Sequence, residues 1–184
     1  MADQVLKLQE LEDFIYDITC KMLDIDLNKE ENQDRVRIAW PTDGSPAWSI
    51  DEDVVYLRIT PIDDSMARQQ NIAYNPDKDN KAYAKKQTGY TRVHKINWTL
   101  YGPNSYDNAD IIRHLIFDYD YMKKFKEKNI FLITDVPMPT RLPELYNGQW
   151  WERTDFSATF NEAVIRENKV PYITGTDIRT IHNR

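Results

Sequence analysis

Residues 90–119 read YTRVHKINWTLYGPNSYDNADIIRHLIFDY, and the period of their apolar pattern changes once. From Arg92 to Tyr101 the side chains alternate. Ile96, Trp98 and Leu100 fall on one side and Lys95, Asn97 and Thr99 on the other, the two-residue repeat of a strand with one face in a core. Gly102 and Pro103 then stop the ladder, because proline brings no backbone donor and glycine tolerates the turn. Asn104 or Ser105 is placed to cap the next helix. Beyond them Ala109, Ile112 and Ile116, with Ile111, Leu115 and Tyr119 beside them, recur at helical spacing. The pattern predicts a strand, a tight turn and a helix whose apolar stripe lies back across the Trp98 face.

A chain of 184 residues with 41% hydrophobic content suits one domain, residues 1–184, with a single core and a protruding arm. Its mean hydropathy of -0.71 and 29% charged residues are those of a soluble protein, and no apolar run is long enough to span a bilayer. The start, MADQVLKLQELEDF, has neither the basic flank nor the apolar centre of a secretory signal, so a cytoplasmic product is expected. A net charge of -6 argues against wrapping nucleic acid, which requires a basic surface to displace counterions. It is compatible with a protein that merely lets DNA pass.

Along the chain, Gln4 to Asp24 reads as a first helix, with Leu8, Leu11, Ile15, Ile18 and Met22 on one stripe. A short strand is expected from Arg35 to Trp40, ended by Pro41. An irregular loop carrying Trp48 follows, then a strand from Val54 to Thr60 ended by Pro61. Residues 61–89 are polar and too long for an ordinary connection, which predicts an arm with Ile72, Tyr74 and Tyr83 as its apolar handholds on a neighbouring subunit. After the central helix, Tyr121 to Lys128 continues as a short helical piece that Asn129 can end in a left-handed conformation. Phe131 to Thr134 is a short strand. The passage VPMPTRLPELYNGQWW is broken by prolines and carries an Asn147-Gly148 turn signal. Alternation returns from Thr154 to Val164, where Phe156, Ala158 and Phe160 share a face. Residues 167–184, with Ile173 and Ile178, read as an extended C-terminal tail that contacts another molecule.

Chemistry is sparse in this sequence. The one cysteine, Cys20, allows no intrachain disulfide and lies in a helix as a small apolar residue. His94, His114 and His182 have no spacing that sets two on one helical face as metal ligands, and His94 shares the Trp98 face at the edge of the core. There is no phosphate-cradling glycine loop, serine elbow or triad order. No catalytic residue, metal or cofactor is therefore expected. The Trp150-Trp151 pair reads equally as a plug closing one end of the sheet or as a protein-binding surface, because tryptophan gives a large contact area at low entropic cost.

Two stretches, INWTLYGPNSYDNADIIRHL at 96–115 and LPELYNGQWWERTDFSATF at 142–160, together resemble the neck or tail-terminator proteins of long-tailed bacteriophages. There, a strand ending in a Tyr-Gly-Pro turn precedes a helix, as at Tyr101, Gly102, Pro103 and Asn104. Later, a Leu-Pro-Glu passage and an Asn-Gly-Gln-Trp turn lead into a long strand, as at Leu142 to Glu144 and Asn147 to Trp150. The strand from Val54 to the Thr60-Pro61 pair is also similar. The resemblance implies an α/β (α+β) fold, a mostly antiparallel sheet with helices packed on it. It also implies a non-enzymatic virion protein, assembled in the host cytoplasm into a ring, expected to be hexameric, at the head-proximal end of the tail. Its partners would be the tail tube protein, the head connector or adaptor protein and, in a contractile tail, the sheath, with DNA passing through unbound. Another neck role, such as head completion, or a small enzyme or nucleic-acid-processing factor are the alternatives. Within the resemblance the expected interface residues are Arg141, Tyr146, Trp150 and Trp151, with Tyr74 and Tyr83 on the arm and Ile173 and Ile178 on the tail.

Overall fold

Strands that alternate apolar and polar residues need a second layer on their apolar face, and in the computed structural model that layer is helical. The structure describes residues 3–40, 44, 47–77, 79–80 and 82–172. Helix α1 (Leu8–Met22) starts where Glu10 reaches back to accept from the Lys7 N–H at 2.8 Å. Strand β1 (Val36–Ile38) runs parallel to β2 (Val54–Ile62). Strands β3 (Gln70–Pro76) and β4 (Tyr83–Tyr101) follow. Helices α2 (Ser105–Leu115) and α3 (Tyr119–Glu127) come next, then β5 (Ile130–Leu132), β6 (Thr140–Arg141) and a small hairpin of β7 (Glu144–Tyr146) and β8 (Gln149–Trp151). The chain returns as β9 (Arg153–Pro171). The sheet order is β1-β2-β4-β9-β5, with β3 also on β4 and β6 on β9; every pairing except β1 with β2 is antiparallel. The mixed α+β expectation holds.

Ile96, Trp98 and Leu100 are buried as their alternation requires, together with Val55, Leu57, Phe156, Ala158 and Phe160 from the flanking strands. Leu11, Ile15 and Ile18 of α1, Ala109 and Ile112 of α2 and Phe125 of α3 cover this face. Trp98 stacks on Phe156 at 5.3 Å and Phe125 on Phe160 at 4.8 Å. The Trp98 indole N–H, fully removed from water, donates to Thr19 Oγ1 at 3.0 Å, which satisfies the one polar atom the ring brings into the core. Cys20 is buried, and burial pushes its thiol up to about 11, as befits an inert packing residue.

Several expected boundaries shift. The expected central helix is shorter and its stripe narrower: α2 ends at Leu115 with Ile116 buried at its cap, Ile111 is exposed while Ile112 faces inward, and Tyr119 is exposed as the first residue of α3. Helix α1 begins at Leu8 rather than Gln4, because Gln4 pairs with Ile165 of β9 as an extended bridge. Asn104 holds the cap position of α2, but its side chain donates to Asp53 at 2.8 Å and makes no cap bond. Pro61 does not end β2. The Val55 N–H and Leu57 C=O turn toward β1, so by alternation the missing N–H of Pro61 faces away from β4 and no ladder bond is lost.

The largest change concerns the ends of β4 and β9. Both were expected to be about half their observed length, yet each has 19 residues, and they pair without a break from Tyr101↔Arg153 to Tyr83↔Pro171. At ~3.3 Å per residue this ladder is roughly 60 Å long. Its far half, the start of β4 with the end of β9 and β3, forms a three-stranded blade beyond the helices. Residues 70–76 and 83–89, read from sequence as a polar arm, are thus hydrogen-bonded strands. Residues 167–171 of the expected tail belong to β9, because β4 offers them a partner that composition does not reveal.

Candidate assembly surface

The two-residue turn Asn147-Gly148 has φ of 49° and 75°, the left-handed pair that matches strand twist in a hairpin. It fixes the pairs Glu144↔Trp151, Leu145↔Trp150 and Tyr146↔Gln149. Alternation then sends Leu145 and Trp150 to one side and Tyr146 and Trp151 to the other. Trp150 is 66% exposed and Leu145 60%. Trp151 turns inward, edge-on to Trp48 at 4.7 Å, while Trp48 lies 4.9 Å from Tyr101. The two adjacent tryptophans therefore part: Trp151 packs the hairpin onto the sheet and Trp150 faces outward.

A charged cluster ties the hairpin down. Arg153 is paired with Glu144, and its guanidinium grips Asp155 at 2.7 and 2.8 Å. The Tyr101 hydroxyl donates to Glu144 at 2.9 Å. Burial and this carboxylate acceptor push the phenol up to about 12, and the Asp155 carboxylate raises the guanidinium of Arg153. Arg141 makes a bidentate pair with Glu152 at 2.8 and 2.6 Å and keeps 61% of its side chain exposed. The face of the sheet opposite the helices is a groove of about 670 Å³, with Trp40 and Arg58 on one flank, Met138 and Leu142 on the other and Asn97 on the floor.

Arg141, Tyr146, Trp150 and Trp151 thus gather at the near end of the β4–β9 ladder. Tyr74 and Tyr83 do not join them: they stand on opposite faces of the blade, at the far end. Ile173 and Ile178 lie outside the described residues. Sequence reading missed Leu145, although the Asn-Gly turn and its two-residue loop set Leu145 opposite Trp150. It also missed Trp40, 78% exposed and held at φ 62°. A left-handed tryptophan has no local sequence signal.

A buried charge was missed as well. Alternation through Phe156, Ala158 and Phe160 continues onto Glu162, so this carboxylate points into the core side at 1% exposure. It accepts from Arg92 Nε at 2.9 Å, His94 Nε2 at 2.8 Å and the Leu6 N–H at 3.0 Å, while Arg92 also donates to the Leu6 carbonyl at 2.7 Å. Glu162 and Arg92 together hold the N-terminal segment to the sheet where the blade leaves the core, with His94 bound through Nε2 alone. Among the described residues no group of acids, histidines and cysteines could hold a metal ion.

The family model for phage neck terminator proteins matches residues 9–184. No curated protein matches the chain. A match over nearly the whole chain, on a sheet whose turns fall at Gly102 and Asn147-Gly148, means that this chain belongs to the phage neck terminator protein family, a family of structural tail and neck components.

Proposed function

We propose that this chain is the subunit of a ring, expected to be a hexamer, at the head-proximal end of the tail, where it ends the tail tube and presents a surface to the head connector. The observation that carries this reading is the placement of two outward surfaces at opposite ends of one rigid ladder. The near end offers Trp150, Leu145 and Tyr146 on a hairpin anchored by Trp151, with Arg141 beside it on β6. The far end offers the blade with Tyr74 and Tyr83. A subunit built this way can bind in two directions without distorting its core, and a modest interface per subunit is multiplied around a ring. Tube protein on one side, connector or adaptor on the other and, in a contractile tail, the sheath are the partners that such surfaces would serve. The net charge of -6 suits a channel through which DNA slides without specific attachment.

Native mass spectrometry with negative-stain imaging, with and without tail tube protein, tests the reading. Ring-sized particles are expected for the wild type, and Trp150→Ala is expected to weaken them, since a central interface tryptophan commonly contributes about 2 kcal/mol or more. Monomers alone at every concentration, tube protein included, would overturn it. A ring recovered on DNA-filled heads instead of on tails would assign the chain to head completion.

A further inference from the structure

Strand β3 is the outer strand of the blade, and among the described residues its outer edge pairs with nothing. The phase of that edge is fixed. The Asp77 N–H donates to the Tyr83 carbonyl at 3.2 Å, so odd-numbered residues here turn their backbone groups toward β4. Gln70, Ile72 and Tyr74 turn theirs outward, and Pro76, which has no N–H, stands at an outward position too. Every residue from Gln70 to Pro76 is exposed and none is charged. Exposed edges are ordinarily guarded by charges, bulges or a mid-strand proline, and β3 has none of these within Asn71–Asn75.

The segment Asn71-Ile72-Ala73-Tyr74-Asn75 repeats its residue classes when read from either end about Ala73: amide, large apolar, alanine, large apolar, amide. We propose that β3 pairs edge to edge with β3 of a second copy, antiparallel about a two-fold axis at Ala73. In that register Ile72 faces Tyr74 of the second copy twice over, a β-branched residue against an aromatic ring, and Asn71 faces Asn75. Ile72 and Tyr74 are both outward-pointing, so they exchange bonds, and with Gln70 donating to the Pro76 carbonyl the edge forms about six main-chain hydrogen bonds. A shift of two residues loses this match, setting Ile72 on itself and Asn71 on Ala73. The contact is isologous and closes at two copies, making one continuous six-stranded blade. It is small, so the pair is weak and reversible. Neither the pattern nor the register depends on the ring proposed above, and the pair is a property of the free subunit.

The test is cysteine cross-linking in the full chain. At the two-fold axis the Ala73 residues form a non-hydrogen-bonded pair with Cα atoms ~4.5 Å apart, inside the range a disulfide bridges. Native Cys20 is 2% exposed and does not compete. Ala73→Cys is expected to form a covalent dimer under mild oxidation about tenfold faster than Asn71→Cys, which does not face itself. Mixing Asn71→Cys with Asn75→Cys is expected to give the heterodimer. Ala73→Cys reacting no faster than Asn71→Cys, or a mixture without heterodimer, overturns the register. On the unmodified protein, hydrogen exchange at Ile72 and Tyr74 is expected to slow as concentration rises. Exchange there that ignores concentration overturns the pairing itself, whatever ring the protein forms.

Discussion

Glu162 is a carboxylate in an apolar layer, surrounded by donors from β4 and from the N-terminal segment. Burial pushes its pKa up, but the hydrogen bonds from His94, the Leu6 N–H and Arg92 outweigh that and hold it below the ordinary carboxylate range. A folded-state pKa below the unfolded one means that the group stabilises the fold fully above the unfolded value, about 4.3, and that this contribution is lost as pH falls through the folded one. Urea unfolding at fixed temperature is expected to give a flat stability above about pH 5 and a decline below it. Arg92→Ala leaves the carboxylate buried without its main cation and is expected to cost about 3 kcal/mol at pH 7. It also moves the acid decline to higher pH, because the hydrogen bonds and charge that Arg92 adds to those of His94 and the Leu6 N–H are gone; a variant whose profile merely drops in parallel would refute this account. Gly102 is constrained differently. Its φ is +106°, and a Cβ there would meet Asp53 Oδ1 and the Glu52 carbonyl at 2.5 Å. Gly102→Ala is expected to cost about 3 kcal/mol, seen as a lower urea midpoint with an unchanged slope.

Among the elements, what the sequence made legible were those whose signal is local. The alternation of Ile96, Trp98 and Leu100, the Gly-Pro stop, the left-handed Asn129 at φ 57° and the Asn147-Gly148 turn each depend on a few neighbouring residues. The far halves of β4 and β9 were not legible, because Lys85 to Gly89 and Glu167 to Lys169 are polar and become strand through pairing with each other. Of the candidate site, the Trp150-Trp151 pair was visible but its division was not, since that depends on Trp48 arriving from a loop about a hundred residues away. The division makes a paired prediction for the hairpin. Trp151→Ala removes a half-buried ring from Trp48 and Tyr146 and is expected to lower folding stability by about 2 kcal/mol. Trp150→Ala, on the exposed side, is expected to change it by less than about 0.5 kcal/mol while weakening ring formation. Reversal of that order in urea unfolding would return Trp150 to the core.

For the molecule as a whole, the distribution of burial separates what folds the chain from what extends it. Past Val93 on β4 and Val164 on β9, the described residues of the blade that are buried are only Asp77 and Ala84. Asp77 lies at the tip, where the Asp79 N–H and the Lys169 ammonium hold its carboxyl below the ordinary range. The helices and the apolar core lie entirely on the near half, so the blade takes from the fold more order than it returns. In the ring proposed above, the blade therefore contributes to assembly rather than to folding. The consequence can be tested by shortening. Asn71 and Gly89 are paired across β3 and β4, so replacing residues 72–88 by an Asn-Gly turn closes the hairpin early with a loop that suits the twist, and ending the chain after Ile165 trims β9 to match. The shortened protein keeps the whole apolar cluster under the helices, losing only Asp77 and Ala84 among the described buried residues, and is expected to melt within a few degrees of the full chain, as a loss of about 1 kcal/mol would dictate. It is expected to fail in assembly: native mass spectrometry should show the ring weakened or absent, and tails completed with it should not join heads. A shortened protein that melts cooperatively and still builds rings able to join heads would show that the blade has no part in neck assembly.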